Sequence, residues 1–349
     1  MQLAIVLSSL LLAIPSLSQA QSKTLQQEKS QVTDARLGPN DWGLADVGCD
    51  AKGNLFVTAW NLEGGGPADR PLLMFDHAGL LKASFKSSPK DLGLSGNAEL
   101  YQPTALVSDG GVARLVWSYH AMSLDVFSAD GKLKSKSPLD PPAFFPYQLA
   151  LFPSGESLVS GLEHVHSRRA LGAFKSFTAI YSKDGHLQKR LVLPEDDEID
   201  AAAELGDSRY AQGPMFGNRG VSGGTARLGV DGNVYLMRRT SPATVYVISS
   251  SGELLRTLKF EPADTGQMPI DMQVAEGRIA VEFSLSSPAD GYEGTNFTVS
   301  DATTGQKLSS DVDENVPGVF ACYRAEPERF TFLRISDDNK LQILEASAK

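Results

Sequence analysis

The chain reads as an all-β propeller of six four-stranded antiparallel blades. Two features of the sequence carry that prediction: a glycine-turn token that recurs at intervals of about fifty residues, and a second hairpin that alternates with it. A third is the composition, whose 32 Gly and 19 Pro, without low-complexity tracts, supply the many turns an all-β chain needs.

The clearest unit runs from Gly224 to Phe260. Four strands are legible there: Ala226 to Val230, Val234 to Arg238, Val245 to Ser249 and Leu254 to Phe260. They are separated by an Asp231-Gly232-Asn233 turn, a loop through Pro242 and a Ser251-Gly252 turn. Val245, Val247 and Ser249 alternate with Tyr246 and Ile248, and with Gly in both turns this is the period-two pattern of hairpins in series. One such sheet has two apolar faces to cover, so it needs copies of itself.

The copies are present. Phe75-Asp76-His77-Ala78-Gly79-Leu80-Leu81, Phe127-Ser128-Ala129-Asp130-Gly131-Lys132-Leu133, Tyr181-Ser182-Lys183-Asp184-Gly185-His186-Leu187 and Ile248-Ser249-Ser250-Ser251-Gly252-Glu253-Leu254 share one token, and Val299 to Leu308 is a looser version. Its Gly provides the positive φ of the turn. The alternating hairpin turns at Gly53, Gly111, Gly155, Gly232 and Gly277, and a sixth copy uses Glu326-Pro327-Glu328 instead. Blades are expected at about 44–86, 103–139, 147–193, 224–260, 270–311 and 317–346. The last lacks an outer strand, and a strand over about 30–36, containing Gln31-Val32-Thr33, is expected to supply it and close the ring.

With tokens such as Val230-Asp231-Gly232-Asn233-Val234-Tyr235 and Val247-Ile248-Ser249-Ser250-Ser251-Gly252, the chain from about residue 30 to 349 resembles the NHL and TolB-like class of six-bladed propellers. The resemblance implies the architecture. It leaves function open, because this fold hosts enzymes, scaffolds and receptors.

Residues 1–20 carry no charged side chain, and the apolar run from Leu3 to Ile14 is followed by Ser18-Gln19-Ala20. That is the pattern of a signal peptide, too short to span a bilayer, so the protein is expected to be secreted or periplasmic, with a single domain over 21–349. A net charge of −10 argues against nucleic-acid binding. Nothing later in the sequence approaches a membrane span, and a monomer is expected. The two cysteines, Cys49 and Cys322, share the parity of Val47 and Phe320, which places each on the same side of its own sheet. Export permits a disulfide, but this parity favours small buried core residues that do not pair.

Turns between first and second and between third and fourth strands are short; the remaining connections are long. The face carrying the long ones is therefore the expected binding face. Its candidates are His164, His166, Arg168 and Arg169 in one loop, and Arg209, Tyr210, Phe216 and Arg219 in another. The run Glu195-Asp196-Asp197-Glu198 reads as a solvated charged face. Two imidazoles at His164 and His166 want a third ligand to hold a metal, and none is predicted nearby. Asn296-Phe297-Thr298 matches a glycosylation acceptor but falls in a predicted strand.

The first positions of the innermost strands align as Asp46, Thr104, Gln148, Thr225, Asp271 and Gly318. Five polar residues should ring the mouth of the central channel. Two readings follow. The first is an exported non-catalytic propeller, without cofactor, that binds a protein or glycan partner; no nucleophile turn of the G-x-S-x-G kind is expected, and no H-E-x-x-H and no Cys–His pair at usable spacing argue for chemistry. The alternative, drawn from the calcium-dependent six-bladed enzymes, is a metal-dependent hydrolase or lactonase with Asp46 and Asp271 on Ca²⁺.

Overall fold

The computed structural model describes residues 22–37, 42–61, 71–87, 103–117, 121–140, 144–165, 173–205, 219–285, 295–313 and 317–349. The first described element is β1 (Ser22–Arg36), and the described residues after it form four antiparallel four-stranded sheets in sequence order. The first holds β2 (Trp42–Cys49), β3 (Leu55–Asn61), β4 (Leu72–Phe75) and β5 (Leu81–Phe85). In the second lie β6 (Thr104–Leu106), β7 (Val112–Trp117), β8 (Met122–Phe127) and β9 (Leu133–Pro138). The third comprises β10 (Phe144–Leu151), β11 (Ser157–Val165), β12 (Ala173–Tyr181) and β13 (Leu187–Leu191). The fourth comprises β14 (Thr225–Leu228), β15 (Val234–Arg238), β16 (Ala243–Ile248) and β17 (Leu254–Phe260).

The rest is one eight-stranded sheet. One half is β18 (Gln267–Ala275), β19 (Arg278–Leu285), β20 (Thr295–Asp301) and β21 (Lys307–Asp313); the other is β22 (Val319–Arg324), β23 (Arg329–Ile335) and β24 (Lys340–Ala348). Strand β1 lies between the halves. It runs antiparallel to β24 from Leu25 to Arg36, and parallel to β21 through Ser22↔Ser310, Lys23↔Asp311 and Thr24↔Val312. Six separate sheets were expected; among the described residues there are instead four and a fifth of double width. The reason is that β1 begins at Ser22, well before the strand expected from about residue 30, and its extra residues reach the neighbouring edge.

The arrangement is propeller-like. First strands of successive sheets contact one another in the order β6, β10, β14, β18, β22 and β2. Buried apolar clusters fill the junctions: Phe56, Phe85 and Phe127 between the first two sheets, and Leu115, Phe144 and Tyr181 between the next two. Ile180, Leu236 and Tyr246 fill the next, and Val245, Phe260 and Phe283 lie before the wide sheet. Phe297, Phe320 and Phe330 separate its two halves, while Val57, Leu333 and Ile343 join its end to the first sheet. Each fully buried aromatic or aliphatic side chain is worth about 1.5–3 kcal/mol, so the junctions are the main source of stability.

One turn geometry serves most hairpins. At 50–54, 76–80, 128–132, 182–186 and 249–253 the first N–H bonds to the carbonyl four residues on, and the fourth N–H bonds back to the first carbonyl. The fourth residue is Gly53, Gly79, Gly131, Gly185 or Gly252, with φ from 70° to 90°. The turn 336–340 has the same bonds with Asn339 in that place, at φ 62°. Such three-residue loops, ending in a left-handed residue, match the twist of the flanking strands.

Cys49 and Cys322 form a disulfide, with Cα atoms 5.4 Å apart. The parity argument fails at β22, whose register shifts between Phe320 and Cys322. The bulge turns Cys322 away from Phe320, which packs with Phe297, and toward the cluster holding Val47 and Cys49. The bridge thereby staples the inner strands of the first and last parts of the chain. Among the described residues no helix is long and apolar enough to cross a membrane.

Candidate functional site

The first strands lie beside one another at the centre of the arrangement, and the sequence there sets four ionisable groups against one another. Asp46 sits where the β2–β3 register shifts between Ala45 and Gly48, with a left-handed φ of 50°. Asp tolerates this conformation better than most residues, and the bulge turns its side chain inward. Burial holds the Asp46 carboxyl above the ordinary carboxylate range; Arg114, the hydroxyls of Thr58 and Thr104, and Arg227 pull it back.

Arg114 is wholly buried on β7 and donates from Nη1 to the carbonyl of Phe85 at 3.0 Å. Burial lowers its pKa, opposed first by Asp46 and then by Asp125. The register explains this. Thr104, Arg114, Asp125 and Lys136 are successive cross-strand partners on β6, β7, β8 and β9. They form a polar row from the centre to the rim, with Lys136 Nζ 3.6 Å from the buried Asp125. Alternating charge in a junction of low dielectric neutralises what isolated burial would forbid.

Asp271 is the second carboxylate. Arg227 Nη2 donates to both its oxygens, at 3.1 and 3.4 Å, and Thr225 Oγ1 donates to Oδ1 at 3.0 Å. The Met272 N–H adds 2.7 Å and Gln273 Nε2 3.3 Å. Arg227 also reaches the carbonyl of Val47 at 3.4 Å. Carboxylates and guanidiniums from four different sheets thus act on one another at the centre, Asp271 and Arg227 as an ion pair and Asp46 and Arg114 through their charges.

Of the expected ring, Asp46 and Thr104 meet at one side, and Thr225 and Asp271 at the other. Gln148 is buried and turned toward the neighbouring sheet, donating from Nε2 to the carbonyls of Val221 and Gly224 at 2.7 and 3.3 Å. Gly318 has φ 139°. Sequence reasoning missed Arg114 and Arg227. Their signal was a cation inside otherwise apolar strands, and for Arg227 the shared parity with Thr225.

On the long-connection face, helix α1 (Asp196–Glu204) and the short α2 (Arg219–Ser222) precede β14. The acidic run expected to be solvated is in part an anchor. Arg238, fully buried, donates to both oxygens of Asp196 and also to Ser160 and Thr178. Glu195 accepts from the Tyr246 hydroxyl and from Lys259 Nζ at 2.7 Å. Asp200 accepts from the N–H and hydroxyl of Ser176, both at 2.8 Å. Only Asp197 and Glu198 of the run are exposed. The reason is helical spacing: Asp196 and Asp200 lie one turn apart, on the face that docks through Ile199.

His166, Arg168, Arg169, Arg209, Tyr210 and Phe216 lie outside the described residues, as do the side chains of His164 and Arg219. Asn296 is buried at 4% exposure and donates to Asp264, so the glycosylation tripeptide is inside the folded chain. Gly220-Val221-Ser222-Gly223-Gly224 has the G-x-S-x-G spacing of a hydrolase nucleophile turn. Its context is reversed, because Ser222 ends a helix that leads into a strand, whereas the nucleophile turn leads from strand to helix. Among the described residues, no group of three or more His, Cys, Asp or Glu could hold a metal ion.

No protein-family model matches the sequence, and no curated protein matches it. Solved structures do. A member of the DUF4221 family from Bacteroides vulgatus is 11% identical, covers 93% of this chain and 98% of its own, and superposes with a TM-score of 0.55. A gluconolactonase from Xanthomonas campestris is 13% identical over 95% of this chain and 99% of its own, with a TM-score of 0.49. The PQQ-bound aldose sugar dehydrogenase of Streptomyces coelicolor is 12% identical over 92% of this chain and 98% of its own, at 0.45. At these identities the first likeness speaks to the propeller-like fold alone.

Proposed function

We propose that the protein is an exported, monomeric six-bladed propeller that binds a protein or glycan partner through its long-connection face, without catalysing a reaction. The pairing at the centre carries this reading. Asp271 accepts from Arg227 at both oxygens, and Asp46 lies in the field of Arg114 and Arg227, so the groups best placed for chemistry are already engaged with one another.

Counting the wide sheet as two blades rests on its parallel junction of three residue pairs, and on the aromatic cluster that separates its halves. Strand β1 then completes the sixth blade and closes the ring. Export is supported by the apolar leader and by a disulfide of the kind that oxidising compartments maintain. The short turns are tight hairpins, whereas the long connections include α1 and the sequence segments holding His166, Arg168, Arg169, Arg209, Tyr210 and Phe216; His164, expected in a loop, lies in β11, and Arg219 opens α2.

The metal-dependent hydrolase reading asks Asp46 and Asp271 to hold Ca²⁺, and the cation would have to displace guanidinium partners. One experiment separates the two. The mature protein is screened on glycan arrays and by cross-linking to exported proteins, alongside thermal melts in EDTA and in Ca²⁺. The binding reading expects capture that is lost in R168A/R169A or R209A/Y210A/F216A and kept in D271N, with melting unmoved by Ca²⁺. A Ca²⁺-dependent rise in Tm, abolished in D271N and accompanied by lactone hydrolysis, would replace it with the hydrolase.

A further inference from the structure

The parallel junction between β1 and β21 is three residue pairs long, and it is the only backbone pairing between the two halves of the wide sheet among the described residues. Its middle pair is Lys23↔Asp311. Asp311 is fully buried, with no exposed surface. On β20 its partner is Phe297, which places its carboxyl on the side of the sheet that packs against Phe320 and Phe330. One oxygen, Oδ2, accepts from Ser309 Oγ at 2.9 Å; the other, Oδ1, has no hydrogen-bond partner among the described residues.

The charged neighbours do not settle this carboxylate. Lys23 on β1 and Lys307 on β21 attract it, and Glu328, in the turn between β22 and β23, repels it. Lys23 is shared, since its Nζ lies 3.8 Å from Glu328 Oε2. Glu328 is itself held by the Tyr323 hydroxyl at 3.0 Å and by Arg278 at 3.8 Å, so it cannot swing away freely. A buried carboxylate with one bare oxygen and an anion nearby is costly when ionised, whereas the neutral acid is tolerated.

We infer that Asp311 makes the closing strand a proton-linked clasp: the neutral acid lets β1 lie down on β21, and the ionised form loosens it. Burial pushes the Asp311 carboxyl up to about 6, and the sign follows from that. Peeling β1 away removes Lys23 but lets water reach the carboxyl, and because burial is the larger influence the group moves back toward its ordinary value of 3.8. The docked state then binds the extra proton between those values. Docking is strongest in acid, weakens as the pH rises from about 4 through about 6, and is flat above. The full separation corresponds to roughly a hundredfold in the docking equilibrium.

The test is hydrogen exchange of the β1 amides in the whole protein at pH 4.5 and 7.0, corrected for intrinsic rates, with β15 amides as reference. Wild type is expected to open β1 tens of times more readily at pH 7.0. Asp311→Asn imitates the neutral acid. It should show the acid level of protection at both pH values. Ser309→Ala removes the bond that favours the ionised form, and should move the midpoint upward. Unchanged pH dependence in Asp311→Asn overturns the clasp, and so does failure of that variant to fold, because the neutral form is supposed to be the tighter one. A midpoint unmoved or lowered by Ser309→Ala overturns it independently.

Discussion

Arg238 places Nε and Nη2 against the two carboxylate oxygens of Asp196, at 2.9 and 3.2 Å, with no part of its side chain exposed. The same guanidinium holds Ser160 and Thr178 at 2.8 and 2.9 Å, so one residue ties α1, the third sheet and the fourth sheet together. Removing the anion leaves a buried cation with neutral partners. Asp196→Ala is therefore expected to cost about 3–5 kcal/mol, and the double change Asp196→Leu with Arg238→Met to cost less than the single one. Urea denaturation measures both. A single-mutant loss below about 0.5 kcal/mol would mean that the pair is not sealed from water.

The disulfide makes a second prediction. Cys49 and Cys322 are separated by 273 residues, so the bridge removes much of the freedom of the unfolded chain. Replacing both by Ser should destabilise by about 2–5 kcal/mol, and reductant should bring the wild type to the same midpoint. If dithiothreitol leaves the melting curve where it was, the staple contributes nothing to ring closure.

These two contacts also mark where the sequence stopped being legible. Period-two strands and glycine turns are local, so the units around Gly79, Gly131, Gly185 and Gly252 could be read directly. A bulge is one extra residue with no composition of its own. The shifts beside Asp46 and Cys322 were therefore invisible, and the second of them reversed the disulfide reading. The central site was half legible for a related reason: Thr104 and Thr225 open their strands as expected, whereas Asp46 and Asp271 lie in mid-strand at register shifts, and their partners Arg114 and Arg227 were not foreseen. The acidic run looked solvated because its cation, Arg238, lies 42 residues from Asp196.

Among the described residues, Asn339 stands at the one repeat of this turn without glycine. Its φ of 62° and the two turn bonds reproduce the glycine turns elsewhere, and Asn is the side chain that adopts this conformation with least strain. Asn339→Gly should be neutral or stabilising by a few tenths of a kcal/mol, and Asn339→Ala should cost about 1 kcal/mol. Equal melting temperatures for the Gly and Ala variants would show that the turn is not held left-handed.

Asp46 gives a pH prediction that is separable from the clasp. Its carboxyl is held above the ordinary range by burial, against the pull of Arg114, so the folded state binds a proton that the unfolded chain has already released. That contribution is present in acid and is lost as the pH rises from the ordinary carboxylate range through the folded value. Asn keeps the tolerance for φ 50° and imitates the neutral acid. Asp46→Asn should therefore flatten the pH dependence of global stability, measured by urea midpoints from pH 4 to 8, while leaving the exchange of β1 amides at the wild-type level. The opposite result is equally readable. If Asp46→Asn destabilises most at pH 7, the group is ionised in the fold and serves as the anion between Arg114 and Arg227, and the centre is held by charge pairing throughout the neutral range.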